Sequence, residues 1–181
     1  MISEHNIPAL ASLEYVAYID DNGELPEQLQ GKIGVYAIFD QDKILQFVGY
    51  SRDVYLSCKQ HLVRFPEKCY WLKVQTIERP NRSILEQIER EWIAENANLP
   101  LGNGEDKEKW INPINAKELM TPEEQSNYQN PLIDELAKIK LLKNVARRVE
   151  GEILAVLESR GVRSQIRFNP KLKEAGLLDL K

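Results

Sequence analysis

The chain has 181 residues, of which 43% are hydrophobic and 29% charged, a composition typical of one globular domain or one domain with a helical extension. The first residues resemble no secretory signal, and no run reaches the about 18 apolar positions that a membrane span needs, so we expect a soluble, cytoplasmic protein without membrane contact. Two cysteines and two histidines exclude a disulfide framework and a Cys/His zinc site, and a net charge of −4 argues against coating nucleic acid with the whole surface.

The first half of the chain alternates strand and helix signals. Residues 12–19 predict a short strand that ends in a turn at residues 20–23. Two runs rich in β-branched and aromatic residues, Val35–Phe39 and Ile44–Val48, flank a polar turn and predict a β-hairpin. Asp53 then offers a cap for a helix that Phe65-Pro66 ends.

Two further elements follow. Cys69–Ile77 predicts a third strand, and apolar residues at three- and four-residue spacing from Ser83 predict an amphipathic helix that ends near Asn96. Residues 104–131 are polar and resemble a linker, with Trp110 placed to pack back on the domain and Thr121-Pro122 typical of a helix start.

A long helical pattern occupies the C-terminal part. Apolar residues recur from Leu132 to Val156 and predict one helix that Gly161 stops, whose apolar stripe packs on the domain or on a second copy in a homodimer. Residues 138–173 contain ten basic and three acidic side chains, so this segment carries +7 and permits a nucleic-acid contact through Arg147 and Arg148.

Three short motifs carry a resemblance to a known family. Gly34-Val35-Tyr36 is followed by Phe47-Val48-Gly49, then by Ser51, Asp53 and Gln60-His61. This order resembles the opening of the GIY-YIG nuclease superfamily, and it is similar to the domain at the N-terminus of plant chloroplast monothiol glutaredoxins. The resemblance implies an α/β (α+β) fold with a small three-stranded antiparallel sheet flanked by helices, followed by a C-terminal helical extension.

These patterns divide the chain into four parts. We expect an approach segment at 1–31, a nuclease-fold domain at 32–103, a linker packing on that domain at 104–131, and the helical extension at 132–181.

The resemblance also implies a site for phosphodiester hydrolysis with Mg²⁺ or Mn²⁺, because that reaction needs an activated water and a hard cation on carboxylate oxygen. Tyr36 and His61 would activate water, Glu89 would hold the metal, and Asn103 would complete the set. Glu86 and Glu91 are alternative metal ligands, since both lie on the same predicted helix.

Two positions depart from the nuclease pattern, so the active site is degenerate. Phe47 replaces the second tyrosine, and Ser57 stands where the family has an arginine that stabilises the transition state. Arg52 and Lys59 are the nearest basic residues. Three functions stay open: a non-cleaving protein that binds DNA or a partner, an active metal-dependent DNA endonuclease, and a redox-regulated interaction module that uses Cys69.

Overall fold

The computed structural model describes residues 6–181, so the first five residues of the predicted approach segment lie outside the description. The chain divides into two compact units, Met1–Ile111 with Val162–Ser164, and Asn112–Gly161 with Gln165–Lys181. Among the residues described, none of the helices combines the length and the apolar character that crossing a membrane requires.

The first unit is built on a four-stranded antiparallel sheet in the order β1-β4-β2-β3. Its strands are β1 (Val16–Ala17), β2 (Ile33–Phe39), β3 (Leu45–Ser51) and β4 (Trp71–Ile77). The predicted three-stranded sheet is therefore wrong by one strand.

The extra strand comes from the N-terminal segment. Val16 pairs with Leu72 and Ala17 with Trp71, so β1 covers an edge of β4. Within the predicted strand at 12–19, only Val16 and Ala17 form a strand in the structure. The residues Leu10–Ser12 form a 3-10 turn.

Helices cover both faces of the sheet. In the β2–β3 hairpin Tyr36 pairs with Gly49 and Ile38 with Phe47, so these side chains share one face, and α1 (Val54–Arg64) packs there. The opposite face packs against α2 (Arg82–Glu95) in a core of Val35, Ala37, Phe39, Leu45, Val48, Leu85, Ile88 and Trp92.

Local sequence signals explain where the two helices begin. The Asp53 carboxylate accepts from the Leu56 N–H, and Asn81 accepts from the Ile84 N–H, so each side chain caps a helix N-terminus. The short helix α3 (Lys107–Ile111) closes the unit, and its Trp110 is buried.

The second unit is mainly helical. It contains β5 (Ile114–Asn115), α4 (Pro122–Gln129), α5 (Glu135–Ser159), α6 (Pro170–Lys173) and β6 (Leu177–Leu178), and β5 and β6 form an antiparallel pair. Thr121 and Glu124 form a capping box at the start of α4, where the sequence predicted a helix start.

The long helix begins three residues later than its apolar pattern. Its buried residues are Leu142, Val145, Ala146, Val149 and Leu157. Leu132 and Leu136, which the pattern assigned to the buried stripe, are 90% and 78% exposed. Gly161 adopts φ 77° and ends the helix as predicted. The homodimer through this helix stays a prediction.

Candidate functional site

Two of the predicted catalytic residues meet beneath the surface of the first unit. Tyr36 projects from β2 and His61 from α1, and the Tyr36 hydroxyl lies 2.8 Å from His61 Nε2. The two residues are 3% and 4% exposed. The hairpin and the helix thus bring the pair together as the nuclease resemblance implies, but without access to solvent.

Three aromatic rings, which we call the aromatic wall, cover this pair: Phe47, Trp110 and Phe65. The Trp110 ring is stacked on Phe47 with centroids 5.2 Å apart and planes within 3°. On its other side it is stacked on Phe65 at 4.3 Å and 18°. Phe47 also contacts the His61 ring, with 4.7 Å between centroids. A phosphodiester would need to displace this wall to reach His61.

A hydrogen bond from α1 holds the wall in place. Arg64 Nη1 donates to the Trp110 carbonyl oxygen at 2.7 Å. Trp110 itself is 1% exposed. Ring stacking and this charge-assisted bond therefore fix the same residue from two sides.

The closed wall changes the acid–base chemistry of the pair. Burial and, to a smaller extent, the nearby Arg64 charge lower the pKa of His61, the Trp110 backbone opposes them, and the result is a pKa of about 3. Burial also raises the pKa of the Tyr36 hydroxyl far above its ordinary range. At neutral pH both groups are uncharged, and an imidazole of such low pKa is a weak general base.

Arg64 is the basic residue near the pair that sequence reasoning missed. Its positive charge acts to lower the pKa of both the Tyr36 hydroxyl and the His61 imidazole. It lies three residues after His61 on α1, a spacing that places two side chains on one helix face and could have identified it. Ser57, at the position of the family's arginine, instead donates from its hydroxyl to the Ser51 hydroxyl at 2.7 Å.

The predicted metal ligand is partly withdrawn from solvent. Glu89 is half-buried, and burial raises the pKa of its carboxyl while Lys107 opposes the shift. Glu86 is bound to Arg82 at 2.7 Å and accepts from the Tyr50 hydroxyl at 3.2 Å. Glu91 is exposed and accepts from Gln87.

These carboxylates do not form a metal centre together. Within residues 6–181, no group of three or more His, Cys, Asp or Glu side chains is placed to hold a metal ion. Mg²⁺ is usually held by one or two carboxylates together with waters and substrate phosphates, so a metal at Glu89 stays a prediction.

Asn103 has a structural partner. Its side-chain amide donates to the Val48 carbonyl oxygen and accepts from the Val48 N–H, both at 2.8 Å. β3 is an edge strand, and Asn103 pairs its exposed backbone groups as a neighbouring strand would. Gly102 permits this approach, because a Cβ there would lie 2.5 Å from the Gln46 carbonyl oxygen.

The four predicted nucleic-acid contacts differ in accessibility. Arg52 and Arg147 are exposed and Lys59 is half-buried. The guanidinium of Arg148 is engaged within the second unit, and its contact with nucleic acid stays a prediction. It donates to both carboxylate oxygens of Glu124 at 3.1 and 2.7 Å, to Glu152 at 2.7 Å and to the Leu119 carbonyl oxygen at 2.7 Å.

Cys69, the residue of the redox alternative, lies in the core of the first unit. Cys69 is fully buried, and its sulfur donates to the His61 carbonyl oxygen at 3.6 Å. Cys58 is 1% exposed, and burial raises the pKa of its thiol. A buried thiol whose charged form is disfavoured reacts slowly with oxidants.

Comparison with known proteins adds one relative. The chain is 29% identical over 147 residues to the chloroplastic bifunctional monothiol glutaredoxin-S16 of Arabidopsis thaliana, a match that covers 71% of this chain and 50% of that protein. The chain thus spans about half the length of this relative, and the match lies in its N-terminal region. No protein-family profile matches the chain.

The buried histidine makes stability depend on pH. Folding lowers the His61 pKa from 6.5 to about 3, so the unfolded chain takes up a proton first as the pH falls. The free energy of unfolding should therefore decrease below pH 6.5, with a His61 contribution approaching about 1.4 kcal/mol per pH unit. Urea unfolding of the parent and of His61→Gln between pH 7 and pH 4.5 measures this slope.

His61→Gln should lose this part of the slope, whereas the control His5→Gln should keep it. If the parent and His61→Gln lose stability in parallel over this pH range, His61 is not held neutral in the folded protein.

Proposed function

We propose that this protein is a nucleic-acid-binding module of nuclease-like design that does not cleave. The aromatic wall over the Tyr36–His61 pair is the observation that carries the proposal. The wall covers both groups, which are 3% and 4% exposed, and separates them from water and substrate.

The case against cleavage has three physical parts. His61 is neutral and a weak base, since burial lowers its pKa to about 3. Ser57 supplies a hydroxyl where the transition state needs a permanent positive charge, and the half-buried Arg64 donates to the Trp110 carbonyl oxygen. The Tyr36–His61 pair is buried beneath the aromatic wall, which keeps a phosphodiester away from both groups.

The case for nucleic-acid binding comes from charge. Residues 138–173 carry +7 within a chain of net charge −4, so the positive charge is concentrated in one segment. Arg147 in that segment is exposed. Exposed basic side chains attract phosphate backbones by releasing counterions, and this attraction does not require a base sequence.

A redox-regulated module is the second candidate, because the relative is a glutaredoxin by name. The buried Cys58 and Cys69 do not support thiol chemistry in the folded unit. The reactivity of the two thiols separates the candidates.

Cleavage and binding are measured on the same preparation. We expect no nicking of supercoiled plasmid with Mg²⁺ or Mn²⁺, and DNA binding that weakens steeply with salt. Arg147→Ala should reduce the slope of log affinity against log salt by about one if it contacts one phosphate. Plasmid nicking and fluorescence anisotropy with labelled DNA measure the two properties.

Nicking by the parent that disappears in Glu89→Ala would overturn the proposal in favour of a metal-dependent endonuclease. Absence of any salt-dependent affinity for DNA would overturn the proposal that the protein binds nucleic acid.

Thiol labelling tests the redox candidate. With both thiols buried, we expect native protein to react with a thiol-specific reagent at least about tenfold more slowly than urea-unfolded protein, because reaction requires opening of the fold. Cys58→Ala and Cys69→Ala assign each rate. Rapid labelling of Cys69 in the native protein would favour the redox candidate.

A further inference from the structure

The second unit contains a groove between α5 and α6 that we call the α5–α6 groove. It encloses about 200 Å³, which is room for a phosphate group with water. Its lining consists of Lys143, Arg147, Pro170, Lys171, Lys173 and Glu174. Four of these six side chains are basic.

Ion pairs within the unit shape this groove. Lys173 Nζ lies 2.5 Å from a Glu150 carboxylate oxygen, and these side chains are only 16% and 21% exposed, so the pair joins α6 to α5. Lys143 Nζ lies 3.2 Å from Glu174. Lys143 and Arg147 are one turn apart on α5 and therefore share a face.

Two of the four cations are left without a carboxylate. Within the described chain, no ion pair involves Arg147 or Lys171, and both are exposed. Two carboxylates pair with the four basic side chains, Glu174 with Lys143 and Glu150 with Lys173, so the groove has two positive charges in excess.

From this arrangement we infer that the α5–α6 groove binds a terminal phosphate monoester of a nucleic-acid strand, with Arg147 and Lys171 as its principal contacts. A monoester carries close to two negative charges at neutral pH, whereas each internal phosphodiester carries one. The excess charge of the groove therefore favours the strand end. This inference adds a preferred ligand group to the proposed function. It rests on the proposed function, because that proposal is what identifies the ligand as a nucleic-acid strand.

The experiment compares two single-stranded oligonucleotides of one sequence, with a 5′-phosphate or a 5′-hydroxyl, by fluorescence anisotropy at fixed salt. We expect the parent to bind the phosphorylated strand about fivefold more tightly, a ratio within reach of one exposed charge-assisted contact. Arg147→Ala and Lys171→Ala should abolish this preference.

Two further variants test whether the preference for the 5′-phosphate depends on the groove. Glu174→Gln removes the carboxylate that competes for Lys143, so it should increase the preference. Lys140→Ala removes an exposed α5 cation outside the groove lining, so it should leave the ratio unchanged while weakening both strands alike. Thermal unfolding checks that each variant folds.

Titration with inorganic phosphate, followed by NMR of backbone amides, separates this inference from the proposed function. If DNA binds without a preference for the 5′-phosphate, or if Lys140→Ala abolishes the preference as well, the groove inference is wrong and nucleic-acid binding stands. If inorganic phosphate shifts the backbone amide resonances of the groove residues but no DNA binds, the phosphate site stands and the proposed function is wrong.

Discussion

The stacking of the Trp110 indole between Phe47 and Phe65 is the contact on which the chemistry of the first unit depends. It removes the Tyr36–His61 pair from water, and the loss of hydration alone disfavours the charged forms of both groups. Without that cover, the same hydrogen-bonded pair would face solvent, and its groups would titrate nearer their ordinary pKa values.

The residues that depart from the nuclease pattern suit this closed state. A phenylalanine at position 47 offers a flat apolar face to Trp110 and carries no hydroxyl that would need a partner inside the wall. Ser57 satisfies its hydroxyl on Ser51 and brings no charge beneath the wall. Asn103 pairs with the backbone of β3. Each of these contacts satisfies a side chain within the fold and does not leave it available to a substrate.

Sequence patterns predicted the parts of the fold that local interactions determine. The hairpin turn at residues 40–44, the caps at Asp53 and Thr121 and the stop at Gly161 depend on residues within four positions of one another, so their signals are visible in the sequence. The Tyr36–His61 pair was also predictable, but through a family resemblance.

Long-range contacts account for what the patterns did not predict. The sequence predicted a short strand at residues 12–19 but did not join it to the sheet, because its partners in β4, Leu72 and Trp71, are distant in the chain. The sequence placed Trp110 on the domain without identifying the residues beneath it, and these lie 45 or more positions away. Arg148 was expected to be available because Glu124, its main partner, is 24 residues distant.

The most direct test of the closed site is an NMR titration of the His61 imidazole, with His5→Asn to assign the signals. The account predicts that His61 in the parent does not titrate between pH 5 and pH 8, because burial lowers its pKa to about 3, and that Trp110→Ala raises this pKa towards its ordinary value of 6.5. A His61 that titrates near pH 6.5 in the parent protein would contradict it.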